Sequence, residues 1–204
     1  AGVDLVTFDG AGGGTGHSPV KMMNEWGIPT VQLEQLVFEL ARKLHHLGRP
    51  LPQIAIAGGF ATEDQVFKGL ALGAPYIGLV ALGRAAMTAA MVGQRVGEAL
   101  QAGEVPKEYA CFGSSVEELF ADLRILKGLY GSAAGSFAPG AIGVFSYLNR
   151  VSVGLRQLMA LNRKFALEHL DRNDLIPLTE AAARATGLPT VQDLTRLEVE
   201  EMGK

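Results

Sequence analysis

Three short apolar segments, each ending near glycine and each followed by a helical pattern, constrain the fold of this chain more than any other feature. They predict strands at Val3–Phe8, Ile54–Ala57 and Ile77–Leu82. Short apolar runs of this kind are typical of buried parallel strands. Because each strand is followed by a helix, we expect an α/β fold with the three strands adjacent, parallel and in chain order. Their glycine-bearing ends then lie on one side, where such folds carry their functional loops.

The loop after the second strand has the features of a phosphate site. Gly58–Gly59 lets the backbone approach a ligand closely. Thr62 and Gln65 have the spacing of a capping box, so a helix begins there and its N-terminal amides favour an anion. After the third strand, Gly83–Arg84 offers a second close approach and a fixed positive charge. We expect a phosphate between the two pairs; the alternative is that these glycines only form tight turns.

The loop after the first strand reads DGAGGGTGH and is the most glycine-rich part of the chain. Gly13 and Gly14 allow it to fold against a flat ring or a phosphate with exposed N–H groups, and Thr15 adds a hydroxyl. Asp9, at the strand end, either orients a ligand or accepts hydrogen bonds from the loop amides. His17 is either a proton donor or an ordinary surface residue.

Several motifs resemble one known family. DGAGGGTGHSP (9–19), IAGGFATEDQVFKGLALGA (56–74) and ALGRA (81–85) are similar to the FMN-binding domain of glutamate synthase and to stand-alone FMN-binding proteins of that family. The stretches PKEYACFGSSVEELF and GAIGVFSYLNRVSVGLRQLMALNR resemble the C-terminal region of the stand-alone members. The resemblance implies the C-terminal portion of a TIM (β/α)8 barrel, with the last three β/α units in residues 1–104 and a helical extension in residues 105–204.

A complete barrel of this kind takes about 250 residues, so the resemblance also implies a fragment that is inactive alone. The remaining barrel strands would come from the same or another polypeptide. They would cover the open edges and the core-facing side of the sheet, which we expect to be exposed in the isolated chain. The C-terminal helices are an alternative cover.

The implied activity is that of an FMN-dependent oxidoreductase of glutamate biosynthesis, within amino-acid and nitrogen metabolism. Reduced FMN would pass a hydride to an imine such as 2-iminoglutarate, which is chemistry on a CH–NH2 group. The cofactor-binding residues carried over by the resemblance are Asp9, Gly13, Gly14, Thr15, Gly58, Gly59, Gly83 and Arg84. No catalytic residue and no metal ligand is assigned.

Cysteine content limits the redox chemistry. Glutamate synthases have cysteines for an iron–sulfur cluster after the last barrel strand, whereas this chain has Cys111 alone. A cluster needs several thiolates, commonly about four, so no iron–sulfur cluster is expected from this chain. The flavin would then be reduced directly by a soluble donor or by an electron-donor protein.

Composition narrows the classes of partner. A net charge of −3 without a basic stripe argues against nucleic acid and against an anionic membrane surface. No apolar stretch reaches the roughly 18 residues of a membrane span, and we expect a cytoplasmic protein that binds flavin and a small amino-acid-like substrate. Two other functions stay open: a non-catalytic structural or assembly piece of a larger complex, and a non-flavin phosphate-binding barrel enzyme.

The rest of the chain is predicted to be mainly helical, with a Gly/Ser/Ala/Pro loop at Gly131–Gly143. The first helix has an apolar face formed by Leu33, Leu36, Val37, Leu40, Leu44 and Leu47. Helices are expected at Val31–Leu47, Thr62–Leu72, Ala85–Ala102, Val116–Leu129, Val151–Leu170 and Leu178–Thr186.

Overall fold

The structure, a computed structural model, describes residues 2–202 and combines a small parallel sheet with mostly helical surroundings. The strands are β1 (Leu5–Asp9), β2 (Gln53–Ala57) and β3 (Ile77–Val80). They lie in the order β1-β2-β3, and both pairs are parallel. The prediction of three adjacent parallel strands in chain order is confirmed, so all three C-terminal ends face one side.

Nine α-helices accompany the strands within residues 2–202. Short 3₁₀ turns are found at Ala110–Phe112, Gly131–Ser136, Leu167–His169 and Arg172–Asp174. The helices are α1 (Val20–Asn24), α2 (Thr30–His46), α3 (Glu63–Gly73), α4 (Arg84–Gln101), α5 (Val116–Leu119), α6 (Leu123–Tyr130), α7 (Pro139–Leu161), α8 (Glu180–Thr186) and α9 (Val191–Met202).

Three predicted elements after residue 104 differ from the structure in their bounds or type. The helix expected at Val116–Leu129 is broken between α5 and α6, where Phe120 leaves helical geometry and is buried. The loop expected at Gly131–Gly143 is instead a 3₁₀ turn and the start of α7, with Pro139 as its first residue. The helix expected at Val151–Leu170 begins earlier and ends at Leu161.

Two compact units divide the chain. The strand unit comprises the residues up to Leu82 together with those from Leu155 onward, and the helical unit comprises Gly83–Gly154. The sequence placed a boundary at residue 104, whereas in the structure the C-terminal segment returns to the strand unit and packs against α2 and α3. Arg172 explains this return, because its guanidinium donates to the Leu72 carbonyl oxygen (2.6 Å) and to Gln35 Oε1 (2.9 Å). The same guanidinium lies 4.1 Å from the centroid of the Phe38 ring.

The strand unit has its core on the helix-facing side of the sheet. The buried members of this core are Val37, Ala41, Ile54, Ile56 and Ile77. On the opposite face Leu5 is 51% exposed and Leu79 is 45% exposed, although Ala55 between them is buried. Part of the sheet's second face is therefore open in this chain, as the sequence predicted.

Helix α2 also has an open apolar side. Val37 and Ala41 pack against β2, whereas Leu36, Leu40 and Leu44 are more than 40% exposed. The predicted apolar face is thus wider than the surface that this chain covers, and a groove of about 290 Å³ lies along it between α2 and β1.

The helical unit is built on a close pair of helices. A Cβ on Gly93 would lie 2.7 Å from the Pro139 carbonyl oxygen, and one on Gly143 would lie 2.6 Å from that of Ala89. These glycines let α4 and the start of α7 approach to backbone contact. The core beside them is formed by Val96, Phe120, Leu123, Leu126, Ala134 and Ile142. No described helix combines the length and apolarity needed to cross a membrane.

Candidate functional site

The glycine-rich loop after β1 is held in place by hydrogen bonds that its own backbone amides donate to carbonyl groups. Gly10 N–H donates to the Ala57 carbonyl (2.9 Å), and Ala11 N–H donates to that of Ile28 (2.7 Å). Gly12 N–H donates to the Met23 carbonyl (2.7 Å) and Gly13 N–H to that of Gly10 (3.0 Å). Because these four donors are occupied, the amides that the loop can offer to a ligand come from its later part.

Thr15 and its neighbours form a small exposed turn in that later part. The Thr15 amide donates to Ser18 Oγ (3.2 Å), and the two hydroxyl oxygens lie 3.2 Å apart. Gly14 has φ +113° and is exposed, as is His17. Within residues 2–202, the amides of Gly14, Gly16 and His17 have no acceptor, so they are the loop donors available to a ligand.

Asp9 lies against the same loop. A Cβ on Gly13 would overlap the Asp9 carboxylate, so this glycine is required for the loop to pass the side chain. No loop amide in the described residues donates to Asp9, which leaves the carboxylate exposed at the end of β1. The geometry therefore does not support the alternative in which Asp9 is only a local acceptor.

Gly58 joins the loops after β1 and β2. It has φ +119°, and a Cβ there would lie 2.9 Å from both the nitrogen and the oxygen of Gly10. The Thr30 hydroxyl donates to the Gly58 carbonyl (2.7 Å) and approaches that of Ala11 at 3.2 Å. Gly58 thus has a packing reason to be glycine, independent of any ligand.

Gly59 is different, because no packing reason accounts for it. It has φ +82°, and a Cβ there would meet no atom within 4 Å. The amides of Gly58, Gly59 and Phe60 donate to no acceptor within the described residues. Successive unpaired N–H groups around a left-handed residue are a backbone arrangement that binds anions.

The start of α3 contributes less to an anion site than the sequence suggests. The capping box is confirmed, since Gln65 Oε1 accepts from the amides of Ala61 (2.8 Å) and Thr62 (3.2 Å). Two amides are therefore used, and the first turn carries Glu63 and Asp64. Hydrogen bonds from Lys68 and Thr62 lower the pKa of Asp64 to about 2, so this negative charge persists at neutral pH.

Gly83 and Arg84 stand where β3 leads into α4. Gly83 precedes the helix, a Cβ there would meet nothing within 4 Å, and Arg84 is the exposed first residue of α4. Both belong to the helical unit. That they share one phosphate with Gly58–Gly59 stays a prediction.

A pocket beside the Gly58–Gly59 turn was not foreseen from the sequence. Its volume is about 220 Å³, and its lining is mostly apolar. It is lined by Thr30, Val31 and Glu34 of α2, by Gly58, Gly59 and Phe60, by Gln65, Lys68, Gly69 and Leu72 of α3, and by Leu175.

Glu34 is the unusual residue of this pocket. It is only 2% exposed, and its buried Oε1 has no hydrogen-bond partner within residues 2–202. Burial raises the pKa of Glu34 to about 8, although the positive charge of Arg172 opposes that shift. One signal could have revealed it: Glu34 is a charged residue on the apolar face that contains Leu33 and Val37.

Metal-ligating groups are sparse where the structure describes the chain. Cys111 is exposed in the 3₁₀ turn Ala110–Phe112. Within residues 2–202, no three His, Cys, Asp or Glu side chains come together as a metal site.

Two comparisons with known proteins both find similarity to glutamate synthases. Residues 1–96 match a family model described as the conserved region in glutamate synthase. An archaeal glutamate synthase [NADPH] of Archaeoglobus fulgidus is 39% identical over 85 residues, which is 40% of this chain and 16% of that protein. The archaeal-type glutamate synthase [NADPH] of Thermotoga maritima gives the same identity and coverage, and that of Dehalococcoides mccartyi is 37% identical over 89 residues.

The matched part spans about one sixth of the length of these relatives. No solved structure matches the chain. The family match includes the three strands and the glycine loops and ends within α4, so the resemblance expected for the later stretches stays a prediction. Through residues 1–96, this chain is similar to the conserved region of glutamate synthases.

Proposed function

We propose that this chain supplies the phosphate-binding end of an FMN-dependent oxidoreductase that acts in glutamate synthesis. The supporting observation is the Gly58–Phe60 turn, whose three amides lack acceptors within the described residues and whose Gly59 is exposed with no atom within 4 Å of the position of a Cβ. The family match and the name shared by the relatives support the glutamate synthase chemistry.

The residues present suit a flavin phosphate. The amides of Gly58, Gly59 and Phe60, and those of Gly14, Gly16 and His17, are the donors in the strand unit that would hold its oxygens. Asp9 would orient the ligand from the end of β1, and Thr15 would face it from the loop. Arg84 would add the positive charge that the acidic first turn of α3 does not provide. The bound flavin would supply the hydride chemistry on a CH–NH2 group.

The exposed surfaces of the strand unit support a larger barrel around it. Leu5 and Leu79 on the sheet, and Leu40 and Leu44 on α2, present apolar area of the kind that a neighbouring β/α unit buries. We propose that further parallel strands, from the same or another polypeptide, complete a TIM barrel, and that this chain alone does not turn over. The absence of a membrane-spanning helix among the described residues suits a cytoplasmic location.

A chimera tests the function directly. In the Thermotoga maritima relative, the segment that matches this chain is replaced by residues 1–96 of this chain. The proposal predicts a protein that retains bound flavin and forms glutamate with NADPH as reductant. A chimera that folds with the circular dichroism of the parent but purifies without flavin contradicts the proposal. A chimera that keeps its flavin but is inactive limits the function of this segment to cofactor binding.

A further inference from the structure

The helical unit contains a groove that the proposed function does not use. Its volume is about 550 Å³, and its walls come from α4, from α7 and from the junction between α5 and α6. The lining residues all lie between Ala89 and Arg150, so the groove shares none of them with the Gly58–Phe60 turn or with Arg84. A groove of this size is suited to a small-molecule ligand.

Part of the groove's lining is apolar and aromatic. Val96 and Phe120 belong to the core of the helical unit, and Tyr109 packs against that core. All three also line the groove, and Tyr147 lines it from α7. Aromatic pairs attract each other beyond the area that they bury, so this lining favours a ligand that carries an aromatic ring.

Two side chains of opposite charge complete the described lining. Asp122 precedes α6, and Arg150 lies on α7 and is exposed. No ion pair joins them, and Arg150 has no partner among the described residues. Asp122 accepts only one long hydrogen bond, from Asn149 Nδ2 to its Oδ1 at 3.5 Å. The groove therefore offers a guanidinium for a carboxylate and a carboxylate for an ammonium group, and a ligand can stand between the two.

We propose that this groove binds a free aromatic α-amino acid, whose carboxylate pairs with Arg150 and whose ammonium group pairs with Asp122. The ring would lie against the aromatic part of the lining. A zwitterion matches both charges of the lining, whereas a simple anion or cation leaves one of them without a partner. The inference uses residues of the helical unit alone and does not depend on the proposed function.

L-Phenylalanine is the probe, and its binding to the full chain is followed by NMR titration. Chemical-shift changes should be confined to α4, α7 and the segment Tyr109–Asp122. Two analogues with the same ring, 3-phenylpropionate and 2-phenylethylamine, each keep only one of the two charged groups. Each should bind about five-fold more weakly than L-phenylalanine, the upper range for one ion pair that is open to solvent. No binding of L-phenylalanine, or equal binding of either analogue, overturns the proposal.

Two charge-removing variants assign the two pairs separately. Arg150→Gln should weaken binding of L-phenylalanine and of 3-phenylpropionate about five-fold and leave 2-phenylethylamine within about two-fold. Asp122→Asn should weaken L-phenylalanine and 2-phenylethylamine and spare 3-phenylpropionate. Arg124→Gln and Glu104→Gln, at exposed positions of the same unit outside the groove, are the matched controls and should change none of the three affinities.

The pattern across the three probes distinguishes a lost ion pair from a damaged fold. A variant that weakens all three probes equally has lost the shape of the groove rather than one contact, and that result overturns the assignment of the charged residue. Unchanged affinity for L-phenylalanine in both Arg150→Gln and Asp122→Asn also overturns the proposal.

Discussion

Glycine has different tasks in the two units of the molecule. In the strand unit Gly12, Gly14, Gly58 and Gly59 all have positive φ, between +82° and +119°, and lie in loops at the strand ends. In the helical unit the glycines at 93, 97, 140 and 143 lie within α4 and α7, where a Cβ would meet the facing helix. The first set shapes a surface, and the second lets two helices touch.

The difference shows which glycines a sequence can explain. A glycine that follows an apolar strand and precedes a capping box is recognisable as a turn from its neighbours alone. A glycine in a helix is recognisable only when the facing helix is known. For that reason the sequence predicted the strand ends correctly but assigned Gly140 and Gly143 to a loop.

The largest effect is expected from Gly93→Ala in the helical unit. The new Cβ would lie within 3.3 Å of the backbone of Pro139, Gly140 and Gly143, which cannot rotate away. We expect the free energy of unfolding to fall by about 3 kcal/mol, the upper range for overpacking. Urea denaturation followed by circular dichroism measures it.

Gly128→Ala is the matched control for that prediction. Gly128 lies within α6, and a Cβ there meets nothing within 4 Å. Alanine should therefore raise the stability of the helical unit by about 0.5–1 kcal/mol. Two variants of equal stability would show that α4 and α7 do not touch as described.

A smaller effect is expected from the paired changes Gly58→Ala and Gly59→Ala. Both residues have positive φ, so both alanines are strained by about 1 kcal/mol. Only at position 58 does the Cβ also meet Gly10, so Gly58→Ala should cost about 2 kcal/mol and Gly59→Ala about half as much. The fluorescence of Trp26, the single tryptophan and a residue of the strand unit, reports urea unfolding of that unit. Equal losses would contradict the packing role given to Gly58.

The strand unit should also respond to pH through Glu34. Its pKa is raised from 4.5 to about 8 on folding, so the folded state holds a proton that the unfolded state releases. Stability of the strand unit should be constant below pH 4.5 and should fall by about 1.4 kcal/mol per pH unit between pH 4.5 and pH 8. Asp64, with a lowered pKa, acts in the opposite sense and only below pH 3.8.

Glu34→Gln provides the control for the pH series, followed by Trp26 fluorescence in urea. The variant lacks the titrating group and should show a flat profile from pH 5 to pH 8. An unaltered chain whose stability is also flat across this range would show that Glu34 is ionised in the folded state.

The sequence was sufficient for the strands, their order and the capping box of α3, because each depends on neighbours along the chain. It was insufficient for Glu34, whose carboxyl group lies against Gly73 of α3 and feels the charge of Arg172, and for the packing of the C-terminal segment against α2 and α3. It also could not show that the amides of residues 10–13 donate hydrogen bonds within the chain. Three of the four carbonyls that accept these bonds lie outside the loop.

The central claim is that the Gly58–Phe60 turn binds the flavin phosphate, and an FMN titration of the apo-chimera tests it most directly. Gly59→Val blocks approach to the turn and should weaken FMN binding about ten- to a hundredfold, and Arg84→Ala should weaken it to a similar extent because it removes the predicted contact with the phosphate. Gly48→Val is the matched control, because Gly48 also has positive φ and open space but precedes β2. Arg49→Ala is the matched control for charge. Unchanged affinity in Gly59→Val, with circular dichroism preserved, would contradict the account.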